Sequence, residues 1–204
     1  MNIMNKIDKR FLILIIAYIC CSIVIIPLFF IKSFNGEPEK KVLTIRDTVY
    51  VKNNMFLNKY DYKVSCYVDR FKKVAIYEYG KYGVLPSIKL AQGILESASG
   101  ESYLCGKTNN HFGIKCFFNC NDTNSFKMKD DHEWDRFKKY KTSWESFRDH
   151  SLLLEKERYE NCKKCKKDYK CWALEIKKAG YATSKNYTKK IINIIEKYKL
   201  YRYD

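Results

Sequence analysis

The chain has 204 residues, 46% of them hydrophobic, and carries 39 Lys and Arg against 23 Asp and Glu, a net charge of +16. That length holds one domain of ordinary size plus extras, with apolar material enough for a core. The positive charge fits two readings, a codon bias towards Lys, Ile, Asn and Tyr or attraction to a polyanion such as nucleic acid, anionic lipid or cell-wall polymer. No recognisable nucleic-acid motif accompanies it.

In chain order, residues 11–31, "FLILIIAYICCSIVIIPLFFI", form 21 residues without a charge. As a helix they reach about 31 Å, the thickness of a bilayer's hydrocarbon core. Lys6, Lys9 and Arg10 precede them and favour a cytoplasmic tail at 1–10. A cleaved signal peptide is the rival, but its apolar region is usually shorter and no A-x-A-like site follows. Cys20 and Cys21 lack the small residue usual before a lipoprotein cysteine. The expectation is a single-pass anchor at 11–31 in the cytoplasmic membrane, with the C-terminal domain on the periplasmic or extracytoplasmic side. That location removes nucleic acid as a partner.

Residues 32–66 read as a stalk. "KSFNGEPEKK" is polar with Gly and Pro, and "VLTIRDTVYVK" at 42–52 is a short strand or extended arm. Residues 1–62 hold nine basic and five acidic side chains, leaving 30 and 18, or +12, in residues 63–204. The exported part is therefore basic in its own right.

From residue 67 onwards the pattern is helical. Val68, Phe71, Ala75 and Tyr79 share one face up to Gly83, and Pro86 suits the first turn of a second helix. In that helix Ile88, Ala91 and Leu95 mark a buried face, while Gln92 and Glu96 are i, i+4 on a neighbouring one. Residues 105–141 lack a helical period and read as loops with a small hairpin. "TSWE" has the form of a capping box, followed by Trp144, Phe147, Ser151 and Leu154 on one face. "CWALEIKKAGYA" gives a further helix ending at Gly180. Tyr187, Ile191, Ile194, Ile195 and Tyr198 form a core stripe on the last one. The fold class is α+β, mainly helical, with the irregular insert between the second and third helices.

Glu96 is an acid at the end of a buried helix, facing the insert. It is either a satisfied structural group or a working one, since burial raises a carboxyl pKa and suits it to donate a proton. In the insert, "KDDHEWD" packs Asp130, Asp131, Glu133 and Asp135 around His132. Three readings fit: a solvated acidic turn, a metal site without the spacing of a known motif, and a second carboxylate facing Glu96. The seven cysteines beyond the anchor, Cys66, Cys105, Cys116, Cys120, Cys162, Cys165 and Cys171, allow disulfides, free thiols or a metal site at "CKKCKKDYKC". Seven is odd, so bridging leaves at least one thiol over.

Four stretches, "YGVLPSIKLAQGILESASGES", "NNHFGIKC", "FKKYKTSWESFRDHSLLL" and "KKAGYATSKNYTKKIINIIEKYKL", resemble in order the glucosaminidase domain of glycoside hydrolase family 73, home of flagellar and autolytic peptidoglycan hydrolases. The resemblance implies a lysozyme-like domain over residues 67–204 with a helical body and a small β-lobe. It implies an endo-β-N-acetylglucosaminidase that cleaves the β-1,4 bond between N-acetylglucosamine and N-acetylmuramic acid, using neither cofactor nor metal. Glu96 then matches the general acid. Tyr181 matches an aromatic residue that positions the sugar or the reacting water, and Gln92, Asn110, Phe112 and Gly113 fall in segments that shape the substrate cleft. Asp130 or Asp131 stands where the family carries its second acid. A catalytically weak glycan-binding or assembly protein on the same fold is the alternative.

Overall fold

Asn58 opens the first helix, α1 (Lys59–Tyr82), by accepting a hydrogen bond from the Asp61 N–H at 2.9 Å. The computed structural model describes residues 50–52, 55–130 and 133–204. The expected tail, anchor and stalk up to residue 49 lie outside the described residues, as do Asp131 and His132. Among the described residues no helix is long and apolar enough to cross a membrane. Ahead of α1, β1 (Tyr50–Lys52) pairs antiparallel with β2 (Met55–Leu57).

Helix α1 begins eight residues before the Tyr67 at which its periodicity is first evident. The Asn58 cap and the Asp61 carboxylate in the first turn favour the earlier start, and Val64 extends the buried stripe of Tyr67, Val68, Phe71 and Ala75. It ends at Gly83, whose left-handed φ of 69° lets its N–H reach the Tyr79 carbonyl at 2.8 Å.

Helix α2 (Pro86–Ser97) is the centre of the domain. It packs against α1, the last two helices and the C-terminal turn, and Ile88, Leu90, Ala91 and Ile94 are at most 1% exposed. A helix covered on this many sides buries its polar residues too, and Ser87, Lys89 and Gln92 are wholly enclosed. It has no side-chain cap of its own. The Asp204 carboxylate takes that place, accepting from the Ser87 N–H at 2.8 Å and the Ser87 hydroxyl at 2.7 Å.

The expected loop region contains a six-residue helix, α3 (Tyr103–Thr108), and the hairpin of β3 (Ser125–Asp130) with β4 (Glu133–Lys138), in register Phe126↔Phe137 and Asp130↔Glu133. Next come α4 (Ser143–Leu154), a 3₁₀ turn at Glu157–Tyr159, α5 (Glu160–Lys164), α6 (Tyr169–Lys178), α7 (Tyr187–Lys197) and a 3₁₀ turn at Leu200–Tyr203. Thr142 caps α4 by accepting from the Glu145 N–H, and the Glu145 carboxylate returns to the Lys141 N–H. Trp144 departs from the expected buried face. It is 46% exposed and lies under the Arg148 guanidinium, 4.9 Å from its ring, because the first turn of α4 projects past the core.

Cys116 is bridged to Cys120 and Cys165 to Cys171, while Cys66, Cys105 and Cys162 are free. The disulfide reading thus holds for four of the seven thiols. Among the described residues no group of ligating side chains could hold a metal ion.

Candidate active site

Glu96 is the penultimate residue of α2. The helix stops there because Ser97 turns its hydroxyl onto the Gly93 carbonyl at 2.6 Å and accepts from the Gly100 N–H at 2.7 Å, while Ala98 and Ser99 take left-handed conformations. The stop presents the Glu96 side chain to a cleft of about 580 Å³ whose lining includes Phe112, Gly113, Arg158, Tyr159 and Tyr181. Burial pushes the Glu96 carboxyl up to about 7, against the opposing pull of a hydrogen bond from the Tyr187 hydroxyl and of the Lys190 charge. Such a carboxyl keeps its proton to near neutrality and can donate it there.

Gln92, one turn back, is wholly buried and is not among the residues that line the cleft. Its Nε2 donates to the Tyr187 hydroxyl at 2.8 Å. The phenol oxygen therefore accepts from Gln92, and its single proton serves Glu96. Read from the sequence, Tyr187 was core alone. The structure gives it a second role, because a buried phenol needs a partner for its hydroxyl. That requirement, and its place at the start of α7, were the signals available.

Asn110 is 2% exposed and spends its amide on the backbone. Its Oδ1 accepts from the Ile114 N–H at 3.0 Å, and its Nδ2 donates to the carbonyls of Ile114 at 2.9 Å and Lys138 at 3.1 Å. It shapes the turn that carries Phe112 and Gly113 and ties it to β4, rather than lining the cleft itself. Gly113 sits at φ 62°, where a side chain is strained. Phe112 is held from behind by His150, their rings stacked at 3.9 Å. Tyr181 donates to the Phe112 carbonyl at 3.4 Å and stacks on Tyr187 at 5.9 Å. The structure thus joins Glu96, Gln92, Tyr187, Tyr181, Phe112 and Gly113 in one contiguous assembly.

Of the expected second acids, Asp130 ends β3 opposite Glu133, and Asp131 lies outside the described residues. Strand β3 contributes Met128 to the cleft. Beneath the floor, the wholly buried Lys89 donates to the Phe147 carbonyl and the Ser151 hydroxyl and meets His150 Nδ1 at 3.0 Å. Burial lowers Lys89 to about 7 and His150 well below its usual value. Sequence reasoning passed over Lys89, which shares the polar face of Gln92 and Glu96 at i, i+3 and i+7, and His150, which stands three residues after Phe147 where helical spacing predicts an apolar side chain.

The model of the glucosaminidase family, described as mannosyl-glycoprotein endo-beta-N-acetylglucosaminidase, matches residues 72–200. The chain belongs to this family. Within it, the chain is 38% identical over 150 residues to the Exo-glucosaminidase LytG of Bacillus subtilis (strain 168), a match covering 68% of this chain and 52% of that protein. The chain thus spans about half the length of that relative. Among solved structures, the catalytic domain of the autolysin Auto from Listeria monocytogenes is similar with a TM-score of 0.58 and 28% identity, over 70% of this chain and 88% of that one. The glycoside hydrolase domain of FlgJ from Salmonella typhimurium is similar with a TM-score of 0.56 and 25% identity, over 67% and 88%. The mainly helical body with its small hairpin is the lysozyme-like glucosaminidase fold.

Proposed function

We propose that this glucosaminidase-family chain is a membrane-anchored peptidoglycan hydrolase that cleaves the β-1,4 bond between N-acetylglucosamine and N-acetylmuramic acid within glycan strands. The observation that carries the proposal is Glu96, a carboxyl raised to about 7 on the wall of an open cleft. It protonates the leaving glycosidic oxygen as the bond breaks, and positive charge develops on the ring of the N-acetylglucosamine whose anomeric carbon loses that oxygen. Glu96 is left as a carboxylate, steadied by the Tyr187 hydroxyl and the Lys190 charge. Water then attacks the anomeric carbon. Either Asp130 or Asp131 draws the proton from that water, or the substrate's own acetamido group assists. Tyr181 and Phe112 hold the sugar against the cleft, and Gln92 acts through Tyr187.

The uncharged run at 11–31 and the +12 charge of residues 63–204 support the reading of a domain held at the outer face of the cytoplasmic membrane, against an anionic wall. The autolysin and exo-glucosaminidase named above add weight to the substrate class. The test is digestion of purified peptidoglycan by the full chain, with products reduced by borohydride and identified by mass spectrometry. The proposal expects internal fragments ending in reduced N-acetylglucosamine. Fragments ending in reduced N-acetylmuramic acid, or no new reducing ends, would contradict it.

A further inference from the structure

The loop Cys116–Cys120 is a five-residue ring closed by its disulfide, and it displays Phe117 at 76% and Phe118 at 87% exposure. Two neighbouring phenylalanines this open to water are costly, and scattered surface apolar residues do not account for a pair held at one tip. The ring is braced at both ends. On one side the Cys116 N–H donates to the Arg136 carbonyl at 2.7 Å and the Lys138 N–H to the Ile114 carbonyl at 2.9 Å, which pins the stem to β4. On the other, Asn119 is left-handed at φ 54° and its carbonyl accepts from Asn124 Nδ2 at 2.8 Å. Between these braces the loop holds both rings out to solvent.

Phe117 also lines the cleft that holds Glu96. So does Tyr103, 65% exposed, whose ring meets Phe126 edge-on at 6.1 Å. Arg158 brings guanidinium donors to the same lining. Flat apolar faces with hydrogen-bond donors beside them match a pyranose ring, which has an apolar C–H face and a rim of hydroxyls. The hydroxyls of a sugar supply the acceptors for the Arg158 donors that an apolar peptide lacks. We infer that the disulfide-closed loop holds Phe117 as a stacking platform for a sugar of the glycan strand next to those at Glu96. The inference rests on the peptidoglycan reading, and it adds a binding element built by the Cys116–Cys120 bridge.

The experiment uses the full chain in detergent with Glu96→Gln, which slows turnover, and titrates it calorimetrically with the hexamer of N-acetylglucosamine. Adding Phe117→Ala should weaken binding about tenfold. Adding Cys116→Ser with Cys120→Ser should weaken it in the same direction by releasing the platform, and Phe118→Ala, whose ring is not in the cleft lining, should change it less than twofold. An unchanged thermal melt in each variant shows that the fold is intact. Affinity within twofold of the parent for Phe117→Ala overturns the inference. So does a Phe117→Ala defect seen only in pelleting with anionic vesicles, which would make the tip a membrane contact. If the Glu96→Gln parent does not bind the hexamer, the inference also fails. Release of reducing ends from peptidoglycan by the wild-type chain then decides the peptidoglycan reading independently.

Discussion

The Tyr187 hydroxyl accepts a hydrogen bond from Gln92 Nε2 at 2.8 Å, and this fixes which way its own proton points. That proton favours the ionised form of Glu96. Replacing Tyr187 with Phe therefore removes a stabiliser of the carboxylate and raises the Glu96 pKa above about 7. A general acid works while protonated, so activity is lost as pH rises through its pKa. The alkaline limb of the pH–rate profile for Tyr187→Phe should lie at higher pH than in the wild type. A limb that stays in place, or moves to lower pH, would show that Tyr187 does not bias Glu96.

The same raised pKa has a consequence for stability. Between the ordinary value of 4.5 and about 7, the folded state keeps a proton that the unfolded chain has released. Stability then falls as pH rises through that window. Glu96→Gln removes the dependence. Its melting temperature should match the wild type at pH 4 and exceed it at pH 8, by the equivalent of about 1 to 3 kcal/mol once solvent access to the group is allowed for. Equal melting temperatures at both pH values would contradict the assigned burial cost.

Gly93 faces Tyr67 so closely that a Cβ on it would overlap the phenol oxygen. Tyr67 is buried and its hydroxyl is paired with His111 Nδ1 at 3.1 Å, so the ring cannot withdraw cheaply. Gly93→Ala gains helix propensity but should still lose about 1 to 3 kcal/mol from overpacking. Urea denaturation reads this directly. An unchanged or raised midpoint would mean that α1 and α2 can separate without cost.

Much of this arrangement was legible in the sequence, for identifiable reasons. Val68, Phe71 and Ala75 mark α1 because helical period and burial coincide there, and Pro86 and Gly83 punctuate the ends of two helices. Glu96 was visible as a lone carboxyl at the end of a buried run. Less visible were the parts that depend on distant partners. The Asp204 cap on Ser87 joins residues 117 positions apart. Lys89 and His150 sit at core positions, and only the fold shows them satisfying one another. Gln92 and Asn110 carried the right polarity for a cleft, but both are turned inward to hold other groups. Helix α3 has only six residues, too few for a period to show.

The second carboxylate is open to direct separation. Asp130→Asn and Asp131→Asn should differ if a protein carboxylate activates water: one falls towards the Glu96→Gln rate and the other stays near the wild type. Release of reducing ends from peptidoglycan measures both. If each retains most of its activity, assistance by the substrate's acetamido group is the mechanism.

The most direct test of the account is the rate at which Glu96→Gln releases reducing ends from peptidoglycan, set beside a wild-type chain of equal folded fraction. Glutamine keeps the shape of the side chain but has no proton to give the leaving oxygen. General acid catalysis contributes typically about 10² to 10⁴ in rate, and the account predicts a loss of that size with hexamer binding retained. Digestion by Glu96→Gln at the wild-type rate would contradict it and leave Glu96 a structural acid.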